Sequence, residues 1–260
     1  MKHNRSFVMI LLMCLLLLCS GCASDNTEQQ PETVSAAVPE DAEILASGTD
    51  WTLYDNGLFV FTGSEMPYIS DHEDVAWYPY MEQIREVVIE KPVTFVSQFA
   101  FQNCVSLERV TMPEGVQKIC LSAFEGCTAL RSVQLPTSLT EIEFWAFSGS
   151  GLEEIVLPAM PKLSNYVFQN CSALRSVVVS EGTNEIGFDV FEGCNNLESI
   201  YLPESLTAVG VYTFRGRDRL TDVFYGGTAD GWAAVDVGDD NDPLLSAQLH
   251  VGASPDDLIS

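Results

Sequence analysis

The sequence predicts a solenoid of about six stacked turns. It places a parallel β-sheet on one side, short turns or short helical segments on the other, and a β-rich cap at each end. Three observations predict this fold. A word that opens on Phe and closes on Leu recurs as FQNCVSL (101–107), FEGCTAL (124–130), FSGSGL (147–152), FQNCSAL (168–174), FEGCNNL (191–197) and FRGRDRL (214–220). Its Phe residues stand 23, 23, 21, 23 and 23 positions apart. A short run of β type follows each of the first five words: RVTMP, SVQLP, EIVLP, SVVVS and SIYLP.

The elements follow in chain order. Residues 1–21 read as a targeting segment: Lys2, His3 and Arg5 precede a twelve-residue apolar stretch, FVMILLMCLLLL (7–18), short for a membrane span. Ser20 and Gly21 before Cys22 resemble a bacterial lipoprotein signal, although Cys19 stands where that signal has Leu. The resemblance implies cleavage before Cys22 and diacylglycerol on its thiol, an anchor rather than a span. An ordinary cleaved signal peptide is the alternative. Residues 22–46, rich in acid, Ser, Thr, Gln and Pro, read as a flexible tether with a root-mean-square reach of about 25–30 Å.

Residues 47–84 read as an N-terminal cap, in which Asp55-Asn56-Gly57 closes a hairpin and Trp77, Tyr78 and Tyr80 cover the open end of the core. Residues 85–220 hold the repeats, each 22–23 residues long. One such turn cannot bury its apolar side alone; stacked turns pair strands about 4.8 Å apart and share a core. Leu107, Val110 and Met112 then point inward and Thr111 outward. The inward sets continue as Val133/Leu135, Ile155/Leu157, Val177/Val179 and Ile200/Leu202. The second side supplies Ile119, Ile142, Leu163, Ile186 and Val209, and the six Phe rings form a ladder. Ala159-Met160-Pro161 replaces the usual turn in a shortened fourth unit, which predicts an irregular rung there. Residues 221–260 read as a C-terminal cap and tail. Periods of this length with this alternation define a leucine-rich-repeat solenoid.

The repeats, with WTLYDNGLFVFTGSEMP (51–67) before them and VFYGGTADGWAAV (223–235) and PLLSAQLHV (243–251) after them, resemble the BspA-like leucine-rich repeats of bacterial surface proteins. That resemblance implies surface display, adhesion and a protein partner, such as a host or neighbouring-cell surface protein.

Cys104, Cys127, Cys171 and Cys194 share one slot of the repeat. A zinc site needs ligands converging on a tetrahedron, and no close Cys pair occurs beyond residue 22. Bridges between Cys104 and Cys127, and between Cys171 and Cys194, meet the Cα spacing of a disulfide but need a small shift at Cβ. The default reading is a buried thiol serving as a small hydrophobe, with the bridges left open. Cys120 lies outside the slot and is expected near the surface.

The net charge is −25, or −27 for a chain beginning at Cys22 (10 basic residues against 37 acidic). Such a field repels phosphate backbones and argues against nucleic acid. No nucleophile elbow, zinc-protease motif, phosphate loop or dinucleotide fingerprint is present, so no catalytic residue and no cofactor is assigned. The outward middle row of the sheet reads Val88, Thr111, Gln134, Val156, Val178, Tyr201 and Phe224. Val156, Val178, Tyr201 and Phe224 form an apolar strip of the kind that docks a protein, although β-branched and aromatic residues also favour strands on their own account. Asp236, Asp239, Asp240 and Asp242 carry oxygen ligands suited to calcium, but not at the spacing of a known calcium loop. The expected protein is a lipid-anchored, extracytoplasmic binding protein without catalysis; the alternative is a structural or accessory envelope lipoprotein with no external ligand.

Overall fold

A turn of 23 residues buries apolar side chains only against the turns beside it, so every inward residue must recur in register. The computed structural model describes residues 37–90 and 93–259. The signal segment, Cys22 and the first part of the tether lie outside them. In chain order the strands are β1 (Ile44–Ser47), β2 (Trp51–Tyr54), β3 (Leu58–Phe61), β4 (Glu86–Ile89), β5 (Phe95–Val96), β6 (Arg109–Thr111), β7 (Lys118–Ile119), β8 (Glu141–Ile142) and β9 (Glu154–Leu157). They continue as β10 (Lys162–Leu163), β11 (Ser176–Val179), β12 (Glu185–Ile186), β13 (Ser199–Leu202), β14 (Ala208–Val209), β15 (Asp222–Tyr225), β16 (Asp236–Val237) and β17 (Gln248–Val251). Three short helices, α1 (Ala229–Ala233), α2 (Asp242–Ser246) and α3 (Pro255–Ile259), belong to the C-terminal part.

The long strands form the front of the solenoid in two sheets, ordered β1-β2-β3-β4-β6 and β9-β11-β13-β15-β17. The two-residue strands form the second side, ordered β5-β7-β8 and β10-β12-β14-β16. From β3 onward every pairing is parallel and joins equivalent residues of adjacent turns, as in Ile155 with Val177 and Ile200 with Val223. The expected inward residues are buried at nearly every position; Val133 and Leu135 are only partly so.

The six Phe rings are fully buried and lie one over the next at 5.3–5.9 Å. The first four steps are within 12° of parallel, and the last tilts by 37°. Trp77 closes the N-terminal end, 5.8 Å from Phe101, and its indole N–H donates to the Ala100 carbonyl at 2.6 Å. Tyr80 packs against this core. Tyr78 does not: its side chain is exposed and meets His72 edge-on at 5.5 Å, because it begins a 3-10 turn whose buried member is Met81. The Asp55–Gly57 hairpin forms as expected, with Gly57 at φ 87°. The cap also begins earlier than residue 47, since Ile44–Ser47 pairs antiparallel with β2.

The irregularity spans two units: the second-side ladder breaks ahead of β10, at the shortened fourth unit, and the front loses its strand earlier, at 131–135. Residues 154–157 form a regular strand, whereas 131–135 form none, and the second-side ladder stops between β8 and β10. The physical cause is the third word, which is one residue short. Gly151 is drawn onto the previous turn, where its N–H donates to the Cys127 carbonyl at 3.1 Å. A Cβ at Gly151 would sit 2.2 Å from the Thr128 carbonyl oxygen, so only glycine fits. Residues 131–135 thus lie between words of unequal length, where full pairing on both sides is lost.

Candidate binding face

The outward row predicted for binding is continuous. Val156 pairs with Val178, Val178 with Tyr201, and Tyr201 with Phe224, all in register on β9, β11, β13 and β15. Its exposure is not what the strand pattern suggests. Val156 is 37 % exposed, but Val178 is 5 % and Tyr201 4 % exposed. The cause is α3, which packs across β11, β13 and β15. The segment leading into it is held by two backbone bonds, from Gly252 N–H to the Gly227 carbonyl (2.8 Å) and from Ala253 N–H to the Tyr225 carbonyl (3.1 Å). Ser254 then closes the first turn of α3, its N–H donating to Asp257 at 2.7 Å.

Phe224 is half-buried, stacked on His250 of β17 at 4.5 Å with the planes 12° apart. His250 Nε2 lies 2.8 Å from Asp222 Oδ1. This bond first, and the Thr221 hydroxyl second, hold the Asp222 carboxyl below the usual carboxylate range. Burial, followed by the nearby carboxylates of Glu181, Asp257 and Glu204, pushes the Tyr201 hydroxyl upward.

The other end of the row is also covered. Val88 packs with Leu58 and Val60, with Tyr54 alongside. A cleft of about 350 Å³ beside them is lined by Ala37, Pro39, Arg85 and Arg109. Between the two covered ends stand Arg109, Thr111, Ser132, Gln134, Glu154 and Val156, all exposed. The open part of the face is therefore polar, and it coincides with the rung that forms no strand.

The four aspartates considered for calcium are not brought together. Among the described residues no group of three or more His, Cys, Asp or Glu is placed to share a metal ion. Their loop is organised by buried Asn241. Its Oδ1 accepts the Phe214 N–H at 2.8 Å, and its Nδ2 donates to the carbonyls of Gly210 and Gly238, both at 2.8 Å. The carboxylates face solvent around this amide.

The repeated cysteines are buried and free, and three have a second use beside packing. The thiols of Cys127, Cys171 and Cys194 donate to the carbonyls of Phe101, Phe147 and Phe168, one turn back, at 3.2, 3.0 and 3.0 Å. In the last turn Arg217 occupies the slot, and its guanidinium donates to the Phe191 carbonyl at 3.3 Å. The slot therefore takes a small or slender donor. Burial pushes the thiols of Cys104, Cys127 and Cys194 above their ordinary range. Cys120 is half-buried, and burial with the Glu143 carboxylate beside it raises its thiol to about 11, which makes it a poor nucleophile at neutral pH.

One surface escaped the sequence reading. Phe144, Trp145, Tyr166, Phe188 and Tyr212 gather along a corner of the solenoid, with Phe144 45 % and Phe188 37 % exposed. Trp145, Tyr166 and Tyr212 each stand two residues before a repeat Phe, a regularity visible in the sequence once the Phe positions are aligned.

A stack of parallel turns with two end caps and a broad outward sheet face defines a repeat protein of the binding-scaffold class. The BspA type leucine rich repeat region matches residues 82–221 in six copies, and the chain belongs to that family. The match indicates no enzymatic family. Solved structures similar to this chain include a leucine-rich repeat protein of T. pallidum, 28 % identical, covering 72 % of this chain and 82 % of that one with a TM-score of 0.53. A leucine-rich repeat protein of Eubacterium ventriosum is 15 % identical, covers 67 % and 69 %, and gives a TM-score of 0.46. One of Bacteroides ovatus is 20 % identical, covers 77 % and 66 %, and gives 0.44. Comparison with curated proteins finds no significant match.

Proposed function

We propose that this chain is a lipid-anchored, surface-displayed binding protein that holds a protein partner on its outward sheet face. The anchor is diacylglycerol on Cys22, supported by the charged and apolar segment that precedes Ser20-Gly21-Cys22. The family supports a protein-binding scaffold, and with it adhesion to a host or neighbouring-cell protein. The observation that carries the reading is the in-register row Val156–Val178–Tyr201–Phe224, with Val156 open beside the exposed polar centre. A partner engages the open centre first and reaches Val178, Tyr201 and Phe224 by displacing the segment 253–259.

A second reading, a structural envelope lipoprotein without an external ligand, is favoured by that same segment: the chain satisfies most of its own apolar row. The experiment that separates the two is capture of cell-surface proteins on the chain, on a variant cut after Gly252, and on Val156→Ser/Tyr201→Ser, with protease accessibility on whole cells alongside. A partner retained by the chain, strengthened by the truncation and lost in the double variant supports binding. An accessible protein that captures nothing in any form supports the envelope role.

A further inference from the structure

The corner of the turns around Trp145 carries a chain of rings that the outward sheet face does not share. Phe144 meets Trp145 edge-on at 6.1 Å, Trp145 and Tyr166 lie parallel at 5.0 Å and 7°, and Phe188 meets Tyr166 edge-on at 5.1 Å. Val211 continues the exposed apolar edge. The indole N–H of Trp145 is already satisfied by Gln169 Oε1 at 3.2 Å, so what this edge offers a partner is ring surface. Two carboxylates stand beside it. Asp189 and Glu192 are near enough to Tyr166 to join burial in pushing its hydroxyl upward. Glu192 is engaged by Gln169 and by Arg215. The carboxylate of Asp189 has neither a hydrogen bond nor an ion pair among the described residues.

One turn further on, the molecule supplies a cation for the same arrangement. The Arg215 guanidinium lies over the Tyr212 ring at 4.6 Å and pairs with Glu192 at 3.7 Å. An aromatic face with a carboxylate at its edge thus holds a guanidinium within this chain. At Tyr166 the corresponding position is Gln169, which carries no charge, and among the described residues Asp189 meets a cation only at longer range, in Arg215, whose lowering effect is outweighed by burial and Glu192. We infer that the Phe144–Trp145–Tyr166–Phe188 edge, with Asp189, is a second docking surface, and that its occupant is an arginine-bearing segment of a basic protein. Guanidinium stacks on aromatic faces and pairs with carboxylates in one geometry, whereas ammonium is a hydrated point charge. The chain's net charge of −25 favours approach of such a partner. This surface is independent of the sheet face and of the reading built on it.

The test uses two peptides of equal charge, one alternating Arg and Ser and one alternating Lys and Ser. Binding to the full chain is followed by calorimetry and by Trp fluorescence. The variants are Trp145→Ser/Tyr166→Ser and, separately, Asp189→Asn. Serine is chosen because the same slot already holds Ser122 in another turn, at φ 53° against 57° for Trp145 and 61° for Tyr166, so the backbone accepts it. The Arg peptide is expected to bind roughly five- to tenfold tighter than the Lys peptide, and the double variant to lose that preference. Asp189→Asn, which changes no ring, should weaken the Arg peptide at least about twofold. Equal binding of the two peptides, or an Arg preference unchanged in the double variant, means that only the diffuse negative field attracts them and overturns the proposal. Binding of neutral glycans that the double variant abolishes, without an Arg preference, also overturns it in favour of carbohydrate stacking.

Discussion

The thiol of Cys194 donates to the carbonyl of Phe168, one turn back, at 3.0 Å, and Arg217 reaches the Phe191 carbonyl from the equivalent place one turn on. The repeat thus uses its cysteine as a buried donor between turns. Cys194→Ala removes both the donor and packed volume, and about 1–2 kcal/mol of stability should be lost. Cys194→Ser keeps a hydroxyl able to donate, and Ser150 shows that the slot accepts serine, so it should cost less. Urea unfolding of the two variants checks the order. Among the described cysteines a thiol reagent should label Cys120 slowly, and Cys104, Cys127, Cys171 and Cys194 only at the rate of unfolding, because burial withholds them.

Each turn bends through two left-handed positions, and only one of them carries the residues that favour it. Asn103, Gly126, Gly149, Asn170, Gly193 and Gly216 occupy the first, at φ 59–79°. Phe99, Ser122, Trp145, Tyr166, Asp189 and Tyr212 occupy the second, at φ 53–63°. A non-glycine residue there costs about 1–2 kcal/mol. Ser122→Gly should therefore be neutral or stabilising by up to about 1 kcal/mol, and Ser122→Val destabilising by about 1–2 kcal/mol or more. Thermal melts of the two variants decide it.

The front sheet is interrupted at 131–135, and the second-side ladder between Ile142 of β8 and Lys162 of β10. Across these levels the ladder of Phe124, Phe147 and Phe168, at 5.4 and 5.9 Å, is continuous, as are the corner backbone bonds from Phe124 N–H to the Ala146 carbonyl and from Phe147 N–H to the Val167 carbonyl. Phe147→Ala should cost about 3–5 kcal/mol. In a stack coupled through nearest neighbours it should also separate unfolding into two steps, one for each half. Hydrogen exchange that still collapses in a single cooperative event would show that the backbone bonds between these turns, at Phe147, Gly149, Gly151 and Glu153, suffice to couple the halves.

The Asp222 carboxyl lies below its ordinary range because His250 and then Thr221 hydrogen-bond to it. A depressed value in the folded state means that the contribution is present above the unfolded value of about 4. It is lost as pH falls through the lower folded value, so it fades in acid and not near neutrality. The pair is about one-third exposed, which keeps the contribution small. His250→Phe preserves a ring on Phe224 and removes the bond; Asp222 should then titrate higher, as carboxyl NMR would record.

The sequence by itself determined the turn. The Phe spacing, the inward sets on both sides and the buried cysteine slot all follow from one rule, that equivalent residues of neighbouring turns touch. Such contacts are periodic in the chain, and a period is what a sequence displays. The tertiary structure decided what lies over the turns. Val178 and Tyr201 read as exposed because their strand pattern records only the sheet; α3, more than fifty residues further on, covers them, and no local signal couples the two. Trp145 and Tyr166 lie 21 residues apart, yet they meet because the corner turns each of them through a left-handed position that their residue types do not announce. The interrupted strand at 131–135 likewise depends on a residue missing from the word after it, not on its own composition. Contacts between neighbouring turns repeat and can be read; a segment folding back over the sheet occurs once, and only packing fixes it.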